Sequence, residues 1–108
     1  MKNKALNERP AVKDEQGNIV RVRKIWDSDT SFDRYSITFE LYNGKTGNWD
    51  IWKDGDKVVC LGLSSNPISP QGFSQFSTCQ EGRHLGKRVA FSDLPELIQN
   101  HIKMRMEQ

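Results

Sequence analysis

Long hydrophobic runs, cysteines and a dominant charge are all scarce in this sequence, and each shortage removes a class of protein. No run approaches the roughly 18 apolar residues that cross a bilayer, and the N-terminus carries no apolar stretch of the secretory kind. No membrane contact and a cytoplasmic location are the expectation. Cysteine occurs twice, as Cys60 and Cys79. Two are too few for the disulfide framework of a small secreted scaffold, so both are read as free thiols, with a single bridge between them as the alternative. Sixteen basic and 14 acidic residues leave a net charge of +2. Such a balance gives no global field toward nucleic acid or anionic membranes, so binding of that kind would have to be local.

What is present fits one small domain. A chain of 108 residues has room for a single core, and an apolar share of 35% makes that core small. Residues 1–9, polar and basic with only Ala5 and Leu6 apolar, read as a flexible N-terminal arm. Residues 10–108 read as the domain. From Val12 the chain reads as a short strand, a turn at Glu15-Gln16-Gly17-Asn18, and a second strand from Ile19 to Trp26. There Val20, Val22 and Trp26 share one face and Arg21 and Arg23 the other. Asp27 to Asp33 is a carboxylate-rich loop without the glycine and distal glutamate of a calcium-binding loop.

The clearest strand is Arg34 to Tyr42, in which Tyr35, Ile37, Phe39 and Leu41 alternate with Ser36, Thr38, Glu40 and Tyr42. Glycine-bearing turns follow at Asn43-Gly44 and Asp54-Gly55-Asp56, with a short strand from Trp49 to Lys53 between them. Trp49 and Trp52 fall on opposite faces of that strand. Lys57 to Leu63 is apolar on both faces, which fits a central or covered strand. Near the C-terminus, Ser92-Asp93-Leu94-Pro95-Glu96 has the chemistry of a helix start, with Asp93 as cap and Glu96 completing a capping box. Leu94, Leu97, Ile98, His101, Ile102 and Arg105 then form a helical stripe. His101, on the apolar stripe, reads as a hydrogen-bonded histidine at the edge of the core.

The fold class is therefore α+β: an antiparallel twisted meander, or small partly closed barrel, of about five strands with one C-terminal helix packed on it. The connections before residue 62 are too short for parallel crossovers.

Between these elements Gly62 to Lys87 is long, polar and punctuated by Asn66-Pro67, Ser69-Pro70, Gln71-Gly72 and Glu81-Gly82. It reads as an ordered loop. Its candidate binding residues are Asn66, Gln71, Phe73, Gln75, Arg83 and His84, converging at one sheet edge, with Trp52 as an amphipathic contact beside them. The resulting expectation is a non-catalytic binding module with a protein partner. A nucleic-acid-binding domain using basic groups at 21–24 and 83–88, with aromatic residues between, is one alternative. A small cysteine-dependent enzyme using Cys79 and His84 is the other. The separations of Cys60, Cys79, His84 and His101 do not match paired zinc-ligand spacing, so neither metal nor cofactor is expected. Oligomeric state has no signature in the sequence.

Asp33-Arg34-Tyr35, Leu63-Ser64-Ser65-Asn66-Pro67, Pro70-Gln71-Gly72-Phe73-Ser74-Gln75, His84-Leu85-Gly86-Lys87 and Phe91-Ser92-Asp93-Leu94-Pro95 together resemble a pattern found in small uncharacterised proteins of bacteria and their phages or plasmids. The resemblance spans roughly residues 33–102. It implies a phage or mobile-element setting and assigns no catalytic residue; for the binding module, elimination of the other classes then leaves a phage or plasmid accessory protein acting on a host factor as the expectation.

Overall fold

The computed structural model of the chain describes residues 8–29, 34–50, 55–69, 72 and 74–107. It is an α+β structure: an antiparallel sheet of seven strands with one C-terminal helix. The strands are β1 (Ala11–Lys13), β2 (Ile19–Asp27), β3 (Tyr35–Asn43), β4 (Asn48–Trp49), β5 (Lys57–Leu63), β6 (Ser74–Gln80) and β7 (Lys87–Arg88). The main path runs β1-β2-β3-β5-β6, while β4 pairs with the end of β3 and β7 with the end of β2. β1 and β6 are the two ends of this path, so the sheet is open rather than a barrel. Helix α1 spans Glu96–Met106.

Turn chemistry joins the early strands. The Asp14 carboxylate accepts the amides of Gln16 and Asn18, both at 2.9 Å, and this fixes the reversal from β1 to β2. Asn43 does the same for the turn after β3, accepting the amide of Lys45 at 2.9 Å. The expected arm is fastened at its inner end. Glu8 accepts the hydroxyl of Ser92 at 2.7 Å and Arg9 pairs with Glu40 at 2.8 Å, so these two residues belong to the domain.

The alternation in β3 builds the core. Tyr35, Ile37 and Phe39 face the helix side together with Val22 and Ile25 of β2, Leu61 and Leu63 of β5, and Ile98, Ile102 and Met106 of α1. Removing each large aliphatic side chain from water stabilises the fold by about 1.5–3 kcal/mol. β5 lies between β3 and β6, and its other face is buried too, through Val58 and Cys60. That explains its continuous apolar sequence.

Three sequence expectations are corrected. The first concerns Trp26. The register of β2 against β3 shifts between Val22 and Lys24, so Arg23 is an extra residue that inverts the alternation after it. Ile25 then points into the helix-covered core. Trp26, opposite Ser36, is buried on the second face.

The second concerns the helix start. Asp93 belongs to a separate 3-10 turn, Phe91–Asp93, where its carboxylate accepts the Ala90 amide at 3.1 Å. Pro95 forces Leu94 into an extended conformation (φ −78°, ψ 149°), so α1 begins only after the proline. Gln99 donates its side-chain amide to the Leu94 carbonyl at 2.8 Å, which ties the helix to the residue before the proline. The buried stripe is Leu94, Ile98, His101, Ile102 and Met106, whereas Leu97 is exposed.

The third is the long loop. Its middle is strand β6, paired with β5 along its whole length from Lys57↔Gln80 to Leu63↔Ser74. The chain then leaves β6, makes a 3-10 turn at Arg83–Leu85, and crosses the second face to pair β7 with the end of β2.

Candidate functional site

β6 is an edge strand whose sequence, SQFSTCQ, contains no charge, glycine or proline. Among the described residues it pairs only with β5. Gln75, Phe76, Ser77 and Thr78 are exposed in succession. Such an edge presents a free row of backbone donors and acceptors, and folded proteins ordinarily blunt such rows with charge or proline. Phe76 lies on the helix-covered side, 6.1 Å from the ring of Phe39, with the Arg105 guanidinium 4.6 Å from its centroid.

The polar residues expected to converge are distributed along this edge. Asn66 is exposed in the turn after β5, where its carbonyl accepts the Ser69 amide at 3.2 Å. Gln75 is near the start of β6, opposite Gly62. Arg83 and His84 lie in the 3-10 turn past the other end of the strand, both exposed. Five residue steps of strand, roughly 17 Å, separate Gln75 from the end of β6, so these side chains do not form one convergent set. Trp52, Gln71 and Phe73 lie outside the described residues.

The second face is an electrostatic network built on two carboxylates. Glu40 receives Arg21 at 2.8 Å, Arg9 at 2.8 Å and Arg23 at 3.4 Å. Glu81, just past β6, reaches back over the sheet to accept the Thr38 hydroxyl at 2.6 Å and the Nε of Arg23 at 3.0 Å, with Lys24 Nζ at 3.8 Å. Thr38 is fully buried, so Glu81 satisfies a hydroxyl that water does not reach. The Arg21 guanidinium carbon sits over Trp49, 3.9 Å from the ring centroid. Trp49 in turn packs on Tyr42 at 5.1 Å.

The pairing of β7 with β2 places Arg88 opposite Trp26. It therefore joins the two basic groups of the sequence, from residues 21–24 and 83–88, at one place. Between them is a polar cavity of about 250 Å³ lined by Lys24, Trp26, Asp56, Glu81, Gly82 and Arg88. The Arg88 guanidinium sits 5.6 Å from the Trp26 ring centroid, and its Nε is buried with no hydrogen-bond partner among the described residues. Burial holds Arg88 below the usual guanidinium value; Glu81 opposes that, and Arg9 and Arg23 add to it. Lys24 and Arg88 belong to the two basic groups legible in the sequence, whereas Glu81, the partner of Arg23 and Lys24, is not legible as such. Its only sequence signal is a lone glutamate before a glycine.

Cys60 and Cys79 are free thiols on adjacent strands. The Cys79 thiol is pushed up to about 12, first by burial, then by the adjoining Cys60, with the Glu81 charge adding to the effect. Cys60 is also 3.5 Å from the Ser77 hydroxyl. The His84 ring lies beside Gly82, with its Nδ1 3.0 Å from where a Cβ on that glycine would stand. On helix α1, His101 Nε2 is 2.8 Å from the Ser74 hydroxyl, the hydrogen bond expected of a core-edge histidine.

Asp27 is bound by Arg34 at 3.0 Å, and Asp29 lies 3.6 Å from the same guanidinium. Among the described residues, no three His, Cys, Asp or Glu side chains are grouped to hold a metal ion. Nor is any helix among them long and apolar enough to cross a membrane. Comparison with known proteins finds no matching family model, curated protein or solved structure.

Proposed function

We propose that this chain is a non-catalytic binding module that takes a protein partner along β6. The observation carrying this reading is the uncharged edge strand Ser74–Gln80, exposed over four successive residues and paired on one side among the described residues. An extended segment adding to such an edge gains main-chain hydrogen bonds, and its specificity comes from side chains flanking the strand. Asn66 and Gln75 flank one end, and Arg83 and His84 the other. Gln71, Phe73 and Trp52 are the further contact residues proposed from the sequence alone. In the setting implied by the resemblance, the partner is a host factor engaged by a phage or mobile-element accessory protein. The weak nucleophilicity expected of Cys79 supports a binding role over cysteine catalysis.

The test is capture of a bacterial lysate on the immobilised chain and on Ser77→Lys and Thr78→Lys variants. Lysine on an edge strand obstructs pairing by another chain. Loss of a specifically captured protein, with far-UV circular dichroism and melting unchanged, is the expected result. Capture unaffected by both variants would remove the edge from consideration.

A second reading is nucleic-acid binding, favoured by the junction of the two basic groups around Trp26. It requires retention on single-stranded DNA that falls steeply with salt and weakens in Arg83→Gln and Lys87→Gln. Salt-independent or absent retention counts against it.

A further inference from the structure

Apolar exposure in this chain gathers at one edge of the sheet. The exposed large apolar side chains among the described residues are Ile68, Phe76, Leu97 and Met104, and the last three border β6. Phe76 is on the strand itself, on the helix side, since it pairs with the buried Leu61. Helix geometry places the other two. His101 Nε2 lies 2.8 Å from the Ser74 hydroxyl and the Arg105 guanidinium 4.6 Å from the Phe76 ring centroid, so α1 runs alongside β6 in the same direction. Leu97, Asn100 and Met104 are spaced by three and four residues around His101, which puts them along the helix flank that borders the edge. None of these three carries a charge, and neither does any residue of β6.

We propose that β6 pairs with β6 of a second copy of this chain, antiparallel about a two-fold axis through Ser77. The proposal rests on the reading of β6 as a docking edge, and it names what docks there first. An axis at Ser77 pairs the two strands without overhang. Ser74 then meets Gln80 of the second copy, Gln75 meets Cys79, and Phe76 meets Thr78, each pair on one face of the joined sheet. An aromatic side chain opposite a β-branched one is a favourable cross-strand pair, and no pair opposes like charges. The two helices lie antiparallel on the same side of a continuous sheet, so the apolar flank of each faces the other and Phe76 and Met104 leave water near the axis. Arg105 is turned onto its own Phe76 ring, which holds its charge within its own copy. The net charge of +2 per chain adds little repulsion between copies. A strand that must stay unpaired ordinarily carries charge or proline, and this one has neither. A host segment that adds to β6 therefore replaces the second copy instead of meeting a bare edge.

The test is sedimentation equilibrium of the full chain across about 1–200 µM, a range that brackets the affinity of small interfaces. A monomer–dimer equilibrium is expected, and Ser77→Lys and Met104→Glu should each raise its dissociation constant at least about tenfold. Both residues are exposed, so far-UV circular dichroism and melting of the variants should match the wild type. In a mixed sample of isotope-labelled and unlabelled chains, filtered nuclear Overhauser contacts should join the Phe76 ring to the Thr78 methyl of the other copy. A chain that stays monomeric at the top of the range overturns the proposal. So does a dimer that neither substitution weakens, or one that lacks the contact between Phe76 and Thr78. A monomer that still loses its captured lysate protein on Ser77→Lys overturns the second copy and leaves the edge as a site for a foreign segment. A dimer weakened by both substitutions, with lysate capture untouched by the lysine variants, supports the second copy and counts against the host partner.

Discussion

Ser74 and His101 join the edge strand to the helix, with the serine hydroxyl 2.8 Å from the imidazole Nε2. His101 is 8% exposed, and its Nδ1 is buried without a partner among the described residues. Burial, and then the nearby Arg105, hold its pKa below the ordinary histidine value of 6.5. The unfolded chain therefore takes up a proton before the folded chain does. The contribution to stability is complete above about pH 6.5 and declines as pH falls from there toward the lowered folded value. Urea unfolding between pH 7.5 and 5 should show this loss, and His101→Gln should flatten it. An unchanged slope in the variant would assign the acid sensitivity to other groups.

Removing the hydrogen bond without the imidazole gives a companion measurement. Ser74→Ala leaves Nε2 as well as Nδ1 without a partner in a buried setting. A loss of about 1–2 kcal/mol in stability is expected. Wild-type stability would mean that water replaces the hydroxyl.

Glu81 is the fastening of the second face. Glu81→Ala removes the nearest acceptor of the Thr38 hydroxyl and of the Arg23 guanidinium, leaving them longer contacts to the Lys24 carbonyl at 3.5 Å and to Glu40 at 3.4 Å, and Arg23 is only 19% exposed. The expected destabilisation is about 1–3 kcal/mol. Because Thr38 is at the centre of β3, amide exchange should quicken at residues 36–40 as well as at the crossing segment. A change confined to residues 81–88 would show that the contact stabilises the segment alone.

Gly86 sets how closely that segment approaches β2. Its φ is +121°, and a Cβ there would lie 2.5 Å from the Asp27 carbonyl oxygen. Gly86→Ala combines backbone strain with a clash against main chain and should cost about 2 kcal/mol or more. Gly55 is the control: φ is +90° with no atom of the described residues within 4 Å of a Cβ, so alanine there should cost chiefly strain, about 1 kcal/mol. Equal losses in melting experiments would refute the close-approach argument.

Cys79 should be a poor nucleophile. With its thiol pushed up to about 12, little thiolate exists near neutral pH. Alkylation by iodoacetamide at pH 8 should run at least about a hundredfold slower than for a model thiol with a pKa near 8.5. Rapid modification of the native protein would return cysteine catalysis to consideration.

Legibility in the sequence followed burial. Tyr35, Ile37, Phe39 and Leu41 announce β3 because one face carries apolar side chains and the other polar ones, although Ser36 and Thr38 on that other face are buried as well. Val58 to Leu63 announces an enclosed strand because both faces are covered. β6 has no such signal. As an edge strand exposed through Gln75 to Thr78, it needs few apolar residues, and SQFSTCQ resembles a loop in composition. Of the site, the basic groups were visible as charges, but their meeting at Trp26 was not.

The sequence by itself determined the local preferences: the turns at Asp14 and Asn43, the alternation of β3, the two-sided apolar β5 and the apolar stripe of α1. These depend on neighbours within a few residues and on which faces leave water. Tertiary structure alone decided that Arg23 is bulged, that Trp26 turns to the second face, and that β7 returns to β2. Each of those follows from contacts between residues distant in the chain, such as Glu81 with Thr38 and Gly86 with Asp27. Their free energy exists only once the sheet has brought the partners together.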